Sequence, residues 1–161
     1  MRQKIYSFIL TGFMTFGVYG FSYSQDLSST LIKKIENEIS LAFDNSIKAG
    51  EKLDVTGISE CINDSLKTGF IDNGFYFKSF EELMVGFKSG IKGLEYQKFN
   101  IDTKKITVLS ENSVLLTTHG NFSAKVFDGR MLTGQFAWTF VYSKINGKWK
   151  VIHSHMSNPK S

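Results

Sequence analysis

His153 and His155, two imidazoles one residue apart, close a segment reading Gly147-Lys148-Trp149-Lys150-Val151-Ile152-His153-Ser154-His155-Met156-Ser157-Asn158-Pro159. Asn146-Gly147 ahead of it is tight hairpin chemistry. A strand alternates its side chains, so Trp149, Val151, His153 and His155 fall on one face and Ile152, Ser154 and Met156 on the other. A bulge near Ser154 would exchange the two sets, so which of them faces a cavity stays open. As a general acid or base, either histidine titrates near neutrality but needs an orienting partner that the sequence does not display. As metal ligands the pair needs a third donor. His119 is the candidate, with no Cys or carboxylate placed to complete the shell. As structural groups they would bond backbone or the hydroxyls of Ser154, Ser157 or Tyr142.

A second constellation is aromatic. Phe136, Trp138, Phe140 and Tyr142 share one strand face, with Gln135, Ala137, Thr139 and Val141 on the other. Such a stripe is either core or the wall of a pocket, with polar handles at Trp138 and Tyr142. Two acids, Asp64 and Asp72, flank the apolar Phe70-Ile71. A carboxylate buried in apolar surroundings has its pKa raised and can act as a base. Asp72 also sits in Asp-Asn-Gly, which is good turn chemistry on its own, and Asp64 suits a cap or the surface. Cys61, the only cysteine, has no base nearby to make it a nucleophile and reads as a small buried apolar residue. The chain shows no Ser-His-Asp arrangement, phosphate loop or dinucleotide fingerprint. Neither a cofactor nor a metal is expected.

The elements that must carry these residues follow from periodicity. Leu27, Leu31, Ile35, Ile39 and Phe43 recur at helical spacing over Asp26 to about Lys48, with Asp26 or Ser28 as the cap and Gly50 at the end. Lys33, Lys34, Glu36, Glu38 and Lys48 form its solvent face. Val55 to Asn63 predicts a short second helix. Leu66 to Ile71 and Phe75 to Phe77 flank a hairpin turn at Asp72-Asn73-Gly74. Ser79-Phe80-Glu81-Glu82 is a capping box opening a helix that ends at Gly90 or Gly93. Four long antiparallel strands then cover Glu95 to Leu109, Ser113 to Phe127, Met131 to Ile145 and Lys148 to Met156. The usual strand is about 5–6 residues. Strands this long must twist and coil, and a coiled sheet covered by helices makes a cone with an open mouth.

The N-terminus reads as a targeting segment. Arg2 and Lys4 precede an uncharged apolar run, Ile5 to Phe21, and Ser22-Tyr23-Ser24 offers small residues at a cleavage site before Gln25. Residues 1–24 are therefore expected to be a signal peptide and residues 25–161 a single exported domain, periplasmic or secreted, without stable membrane association after cleavage. Losing Arg2 and Lys4 lowers the formal charge from +4 to +2. No basic stripe marks a nucleic-acid partner. With one cysteine, the mature core stands on packing alone.

The order of long helix, short helix, hairpin, capped helix and four long strands resembles the NTF2-like superfamily. In detail it is similar to the SnoaL-like or DUF4440 type, through Val108-Leu109-Ser110-Glu111-Asn112-Ser113-Val114, Asp128-Gly129-Arg130, and Thr139-Phe140-Val141-Tyr142-Ser143-Lys144-Ile145-Asn146-Gly147-Lys148-Trp149-Lys150-Val151-Ile152-His153-Ser154-His155. The terminal Trp…His-Ser-His-x-Ser is also similar to the end of the calcium/calmodulin kinase association domain. The resemblance implies an α+β cone, a strongly curved antiparallel sheet with N-terminal helices on its concave face. It implies a cavity holding a small, largely apolar molecule, with Trp138, Tyr142, Phe136, His119, His153, His155 and Met156 as candidate contacts. If the chain is an enzyme of the isomerase, cyclase or hydratase kind, His153, His155 or Asp72 is the candidate acid–base group. Association domains carry an Arg after the second His; this chain has Met156, which argues against anion binding there. The outer sheet face (Thr133, Ala137, Thr139, Val141) is expected to form a homodimer.

Overall fold

The computed structural model describes residues 27–158; the leader and cleavage site lie outside them. Helix α1 spans Ser29–Glu51 and α2 Val55–Glu60. Strands β1 (Phe70–Asp72) and β2 (Phe75–Phe77) form the hairpin, and α3 spans Phe80–Ile91. The long strands are β3 (Leu94–Ser110), β4 (Ser113–Val126), β5 (Met131–Ile145) and β6 (Lys148–Ser157).

Local chemistry sets most boundaries. Ser28 Oγ accepts from Leu31 N at 3.2 Å and starts α1; Asp54 Oδ1 accepts from Gly57 N at 2.9 Å and starts α2. Ser79 Oγ accepts from Glu82 N, and Glu82 Oε2 in turn accepts from Lys78 N at 2.8 Å. The helix α1 passes through Gly50 instead of ending there, and the chain reverses at Leu53, whose φ is 55°. Gly50 is buried under β3, where Gln97 Nε2 donates to its carbonyl at 2.7 Å. The strand expected from Leu66 begins only at Phe70, because Lys67 and Gly69 take positive φ of 51° and 71°. Asn73-Gly74 and Asn146-Gly147 both take the left-handed pair that a two-residue hairpin needs.

The six strands lie in the order β2-β1-β6-β5-β4-β3. The sheet is mixed and not wholly antiparallel as expected: β1 runs parallel to β6, pairing Ile71 with His155. Register shifts within β3, and between β5 and β6, mark bulges, and bulges bend strands. The sheet curls about α1, whose Ile35, Ile39 and Phe43 meet Val114, Leu116, Tyr142 and Val151 in the core. Burying each such side chain contributes about 1.5–3 kcal/mol. Glu38 belongs to this packing and not to a purely solvent face. Its Oε2 accepts from Trp149 Nε1 at 2.7 Å and Lys144 Nζ at 3.1 Å. Those two donors, Trp149 first, hold its carboxyl below the ordinary value.

Candidate functional site

Between the three helices and the inner sheet face lies an apolar cavity of about 130 Å³. Sheet residues supply one wall: Phe99 from β3, Trp138 and Phe140 from β5, and Val151, Ser154 and Met156 from β6. Helices supply the other, with Ile47 and Gly50 from α1, Ile58 from α2, and Leu83, Met84 and Phe87 from α3. Its polar atoms are few, brought by Ser46, Gln97 and Ser154, with the Cys61 thiol beside them.

The aromatic stripe builds the floor. Phe136 stacks on Trp138 with centroids 4.0 Å apart, and Phe99 meets Trp138 edge-on at 5.2 Å. Edge-on and offset contacts of this kind favour a fixed geometry. Trp138 offers no free polar handle, because its Nε1 donates to Asn158 Oδ1 at 3.0 Å. Phe136 is buried behind Trp138 and does not line the cavity. Tyr142 is 2% exposed and lies in the core; its hydroxyl has no hydrogen-bond partner. It does not line this cavity.

The last strand differs from simple alternation. Tyr142 pairs with Val151 and Val141 with His153, which leaves Ile152 as an extra residue. The bulge therefore lies at Val151–Ile152, ahead of Ser154, and both of its residues are buried. Beyond it Ser154 and Met156 face the cavity, while His153 and His155 are carried to the outer side. The physical cause is a change of neighbour along the outer edge of β6. Val151 N donates to Cys61 O and Val151 O accepts from Asn63 N, both at 2.9 Å. At the very next residue the partner is the segment leading into β1, where the Thr68 hydroxyl bonds Ile152 O.

Of the candidate contacts, Trp138 and Met156 line the cavity and His119, His153 and His155 do not. His153 Nδ1 lies 2.8 Å from Gly69 O; a carbonyl only accepts, so Nδ1 carries the proton. This histidine ties β6 to the entrance of β1. His155 borders a shallow outer groove with Thr117, Ala137 and Thr139. His119 is 59% exposed and lies 3.9 Å from Asp102 Oδ2. Among the described residues no three His, Cys, Asp or Glu side chains gather as metal ligands would.

Asp72 ends β1 on the face it shares with Phe70, in register with cavity-lining Met156. Its Oδ1 is buried and has no partner, and burial pushes its carboxyl up. Asp64 behaves oppositely. Its Oδ2 accepts from Phe80 N at 2.9 Å, which holds its pKa down and fastens the loop to α3. Cys61 is half-buried, its thiol is pushed up by burial, and its Sγ donates to Gly57 O at 3.3 Å. Sequence reasoning missed Gln97, Ser46 and Met84 as lining residues. Met84 stands on the apolar stripe of the capped helix. Gln97 could be found as the one polar residue in the inward series Gln97, Phe99, Ile101.

The sequence profile of the SnoaL-like domain matches residues 39–161. No curated protein matches the chain in sequence. In structure it is similar to an NTF2-like superfamily protein of Salmonella enterica serovar Typhimurium: 20% identity, TM-score 0.72, covering 81% of this chain and 94% of that one. A proposed scytalone dehydratase of Novosphingobium aromaticivorans aligns over 83% of this chain and 89% of its own at TM-score 0.75, with 7% identity. A type 2 hexachlorocyclohexane dehydrochlorinase aligns over 83% and 90% at TM-score 0.69, with 10% identity. At these identities the likeness is one of fold.

Proposed function

Since the chain belongs to the SnoaL-like domain family and has the NTF2-like cone, we propose that the cone binds one small, largely apolar molecule. The supporting observation is the cavity itself, about 130 Å³ and walled by Phe99, Trp138, Phe140, Met84 and Met156. An engineered apolar cavity of about 150 Å³ stays dry and takes up benzene. The ligand is therefore of single-ring size. Gln97 and Ser154 are the groups placed to orient a polar substituent. Titration of the full chain with toluene, followed by the methyl resonances of Met84 and Met156, tests this. Saturable shifts of both methyls are expected, lost in Ser154→Leu, which fills the space. Flat titrations up to the solubility of toluene would sink the reading.

A second reading is favoured by Asp72. Asp72 does not line the cavity but pairs with Met156, which does, and a carboxyl there with a raised pKa and a free buried oxygen is what a general base needs. The dehydratase and dehydrochlorinase named above would both, as eliminations, draw on such a base. Turnover of a ligand identified by the titration, with loss in Asp72→Asn and retention in His153→Ala and His155→Ala, is the expected pattern. Export by the N-terminal leader and pairing of two copies through the uncharged outer face of Ala137, Thr139 and Val141 complete the proposal. A monomer by sedimentation at micromolar concentration would remove the pairing.

A further inference from the structure

We infer that a second site, the groove between α1, α2 and the start of β6, binds a small organic anion with a hydrogen-bond acceptor remote from its acid group. This groove, about 500 Å³, lies on the other side of Cys61 from the cone. It does not depend on the cone being occupied. Lys48 and Lys52 from the end of α1 and Lys148 and Lys150 from β6 line it, against two carboxylates, Asp54 and Glu60. Asp54 is already engaged, since its Oδ1 accepts from Gly57 N. Lys150 bonds the Glu60 carbonyl. Lys48, Lys52 and Lys148 take part in none of the ion pairs among the described residues. The mouth thus sets four ammonium groups against two carboxylates, a net positive charge suited to an acid group.

The floor supplies the second observation. Tyr142 lines the groove, is 2% exposed, and its Oη makes no hydrogen bond, the neighbouring Ser46 hydroxyl donating instead to Phe43 O at 2.7 Å. A buried hydroxyl without a partner is costly and uncommon, and a ligand atom that accepts its proton removes the cost. Around it the groove is lined by Ala42, Ala49 and Cys61, whose thiol is committed to Gly57 O. Burial pushes the phenol up, so it stays a donor at neutral pH. A ligand that fits has its charge at the lysine mouth, a flat or slim body along Trp149, and an acceptor oxygen at the bottom. An aryl carboxylate with a para oxygen is the simplest such molecule.

The test is a heteronuclear NMR titration of the full chain with three probes: 4-hydroxybenzoate, benzoate and methyl 4-hydroxybenzoate. Saturable shifts at the amides of Gly57, Cys61 and Trp149 are expected for the first. Benzoate lacks the remote acceptor and should bind about tenfold more weakly; the uncharged ester should weaken as well. Tyr142→Phe should erase the preference for 4-hydroxybenzoate over benzoate. It should also raise the Tm of the free protein by about 2–4 °C, because a partnerless hydroxyl is gone. Lys48→Gln with Lys148→Gln should weaken both acids equally and leave the preference intact. Shifts confined to Met84 and Trp138, no saturable shift at all, or an unchanged preference in Tyr142→Phe would each overturn the site.

Discussion

Asp64, in the loop before β1, and Asp72, at the end of β1, each carry one buried oxygen without a partner. The fold treats the two regions in opposite ways. At Asp64 the other oxygen accepts from Phe80 N, with Lys67 at 3.1 Å, and the anion is held. At Asp72 no donor reaches the carboxyl, and burial alone acts on it. Two aspartates eight residues apart in sequence thus become an anchor and a candidate base. What separates them is the presence of one backbone N–H from the first turn of α3. Burial pushes both carboxyls up, and only at Asp64 does a donor outweigh it.

The largest effect should come from removing the buried side chain that shares the strand face of Asp72. Phe70 is 0% exposed, and Phe70→Ala should cost about 3–5 kcal/mol in urea unfolding. It should also bring the Asp72 carboxyl back toward 3.8, the usual aspartate value, and leave Asp64 lowered by Phe80 N, as read by carbon NMR. If Asp72 stayed raised in that variant, Phe70 would not be what keeps water from it.

A smaller loss, about 1–2 kcal/mol, is expected for Asp64→Ala, chiefly from the Phe80 N–H left without its acceptor. The Lys67 pair contributes little, because that ammonium is 71% exposed. The sign with pH is definite. Asp64 is lowered in the folded state, so its stabilisation is present above 3.8 and lost as pH falls through the folded value beneath it. The stability gap between the wild-type chain and Asp64→Ala should close in acid.

The smallest effect, within about 1 kcal/mol, should be Asp72→Asn, and it should stabilise. Asp72 is raised on folding, so its contribution worsens as pH climbs above 3.8. The variant's advantage should therefore grow from acid toward neutral pH in parallel melts. An advantage independent of pH would mean that the carboxyl does not titrate where burial places it, and the comparison with Asp64 would fail.

Much of this architecture was legible because it is local. The capping box at Ser79, both Asn-Gly turns and the bounds of β5 need only a few neighbouring residues to specify them. The aromatic stripe was legible as a face because period-two alternation holds through β5. What was hidden depends on contacts between distant segments. The bulge in β6 arises where its edge neighbour changes from Cys61–Asn63 to the strand after Thr68. The adjacent apolar pair Val151-Ile152, after the alternating Trp149-Lys150, was its only trace in the sequence. For the same reason the sequence leaves open which face of β6 lines the cavity: it offers His153, His155 and Met156 as contacts and omits Ser154. Tyr142 was recognised as a polar handle, but its groove is assembled from α1, α2 and β6, which no spacing within β5 foretells.

That single extra residue in β6 also bears on how the family could change its chemistry. Inserting one residue after Ile152, with the bulge kept, would shift the alternation beyond it by one. The inward positions now held by Ser154 and Met156 would pass to His153 and His155, with no substitution at all. A one-codon insertion, and not a series of point changes, therefore separates an apolar cone from one carrying two imidazoles. Insertions at this position are the place to look for descendants of this scaffold with a different reactivity.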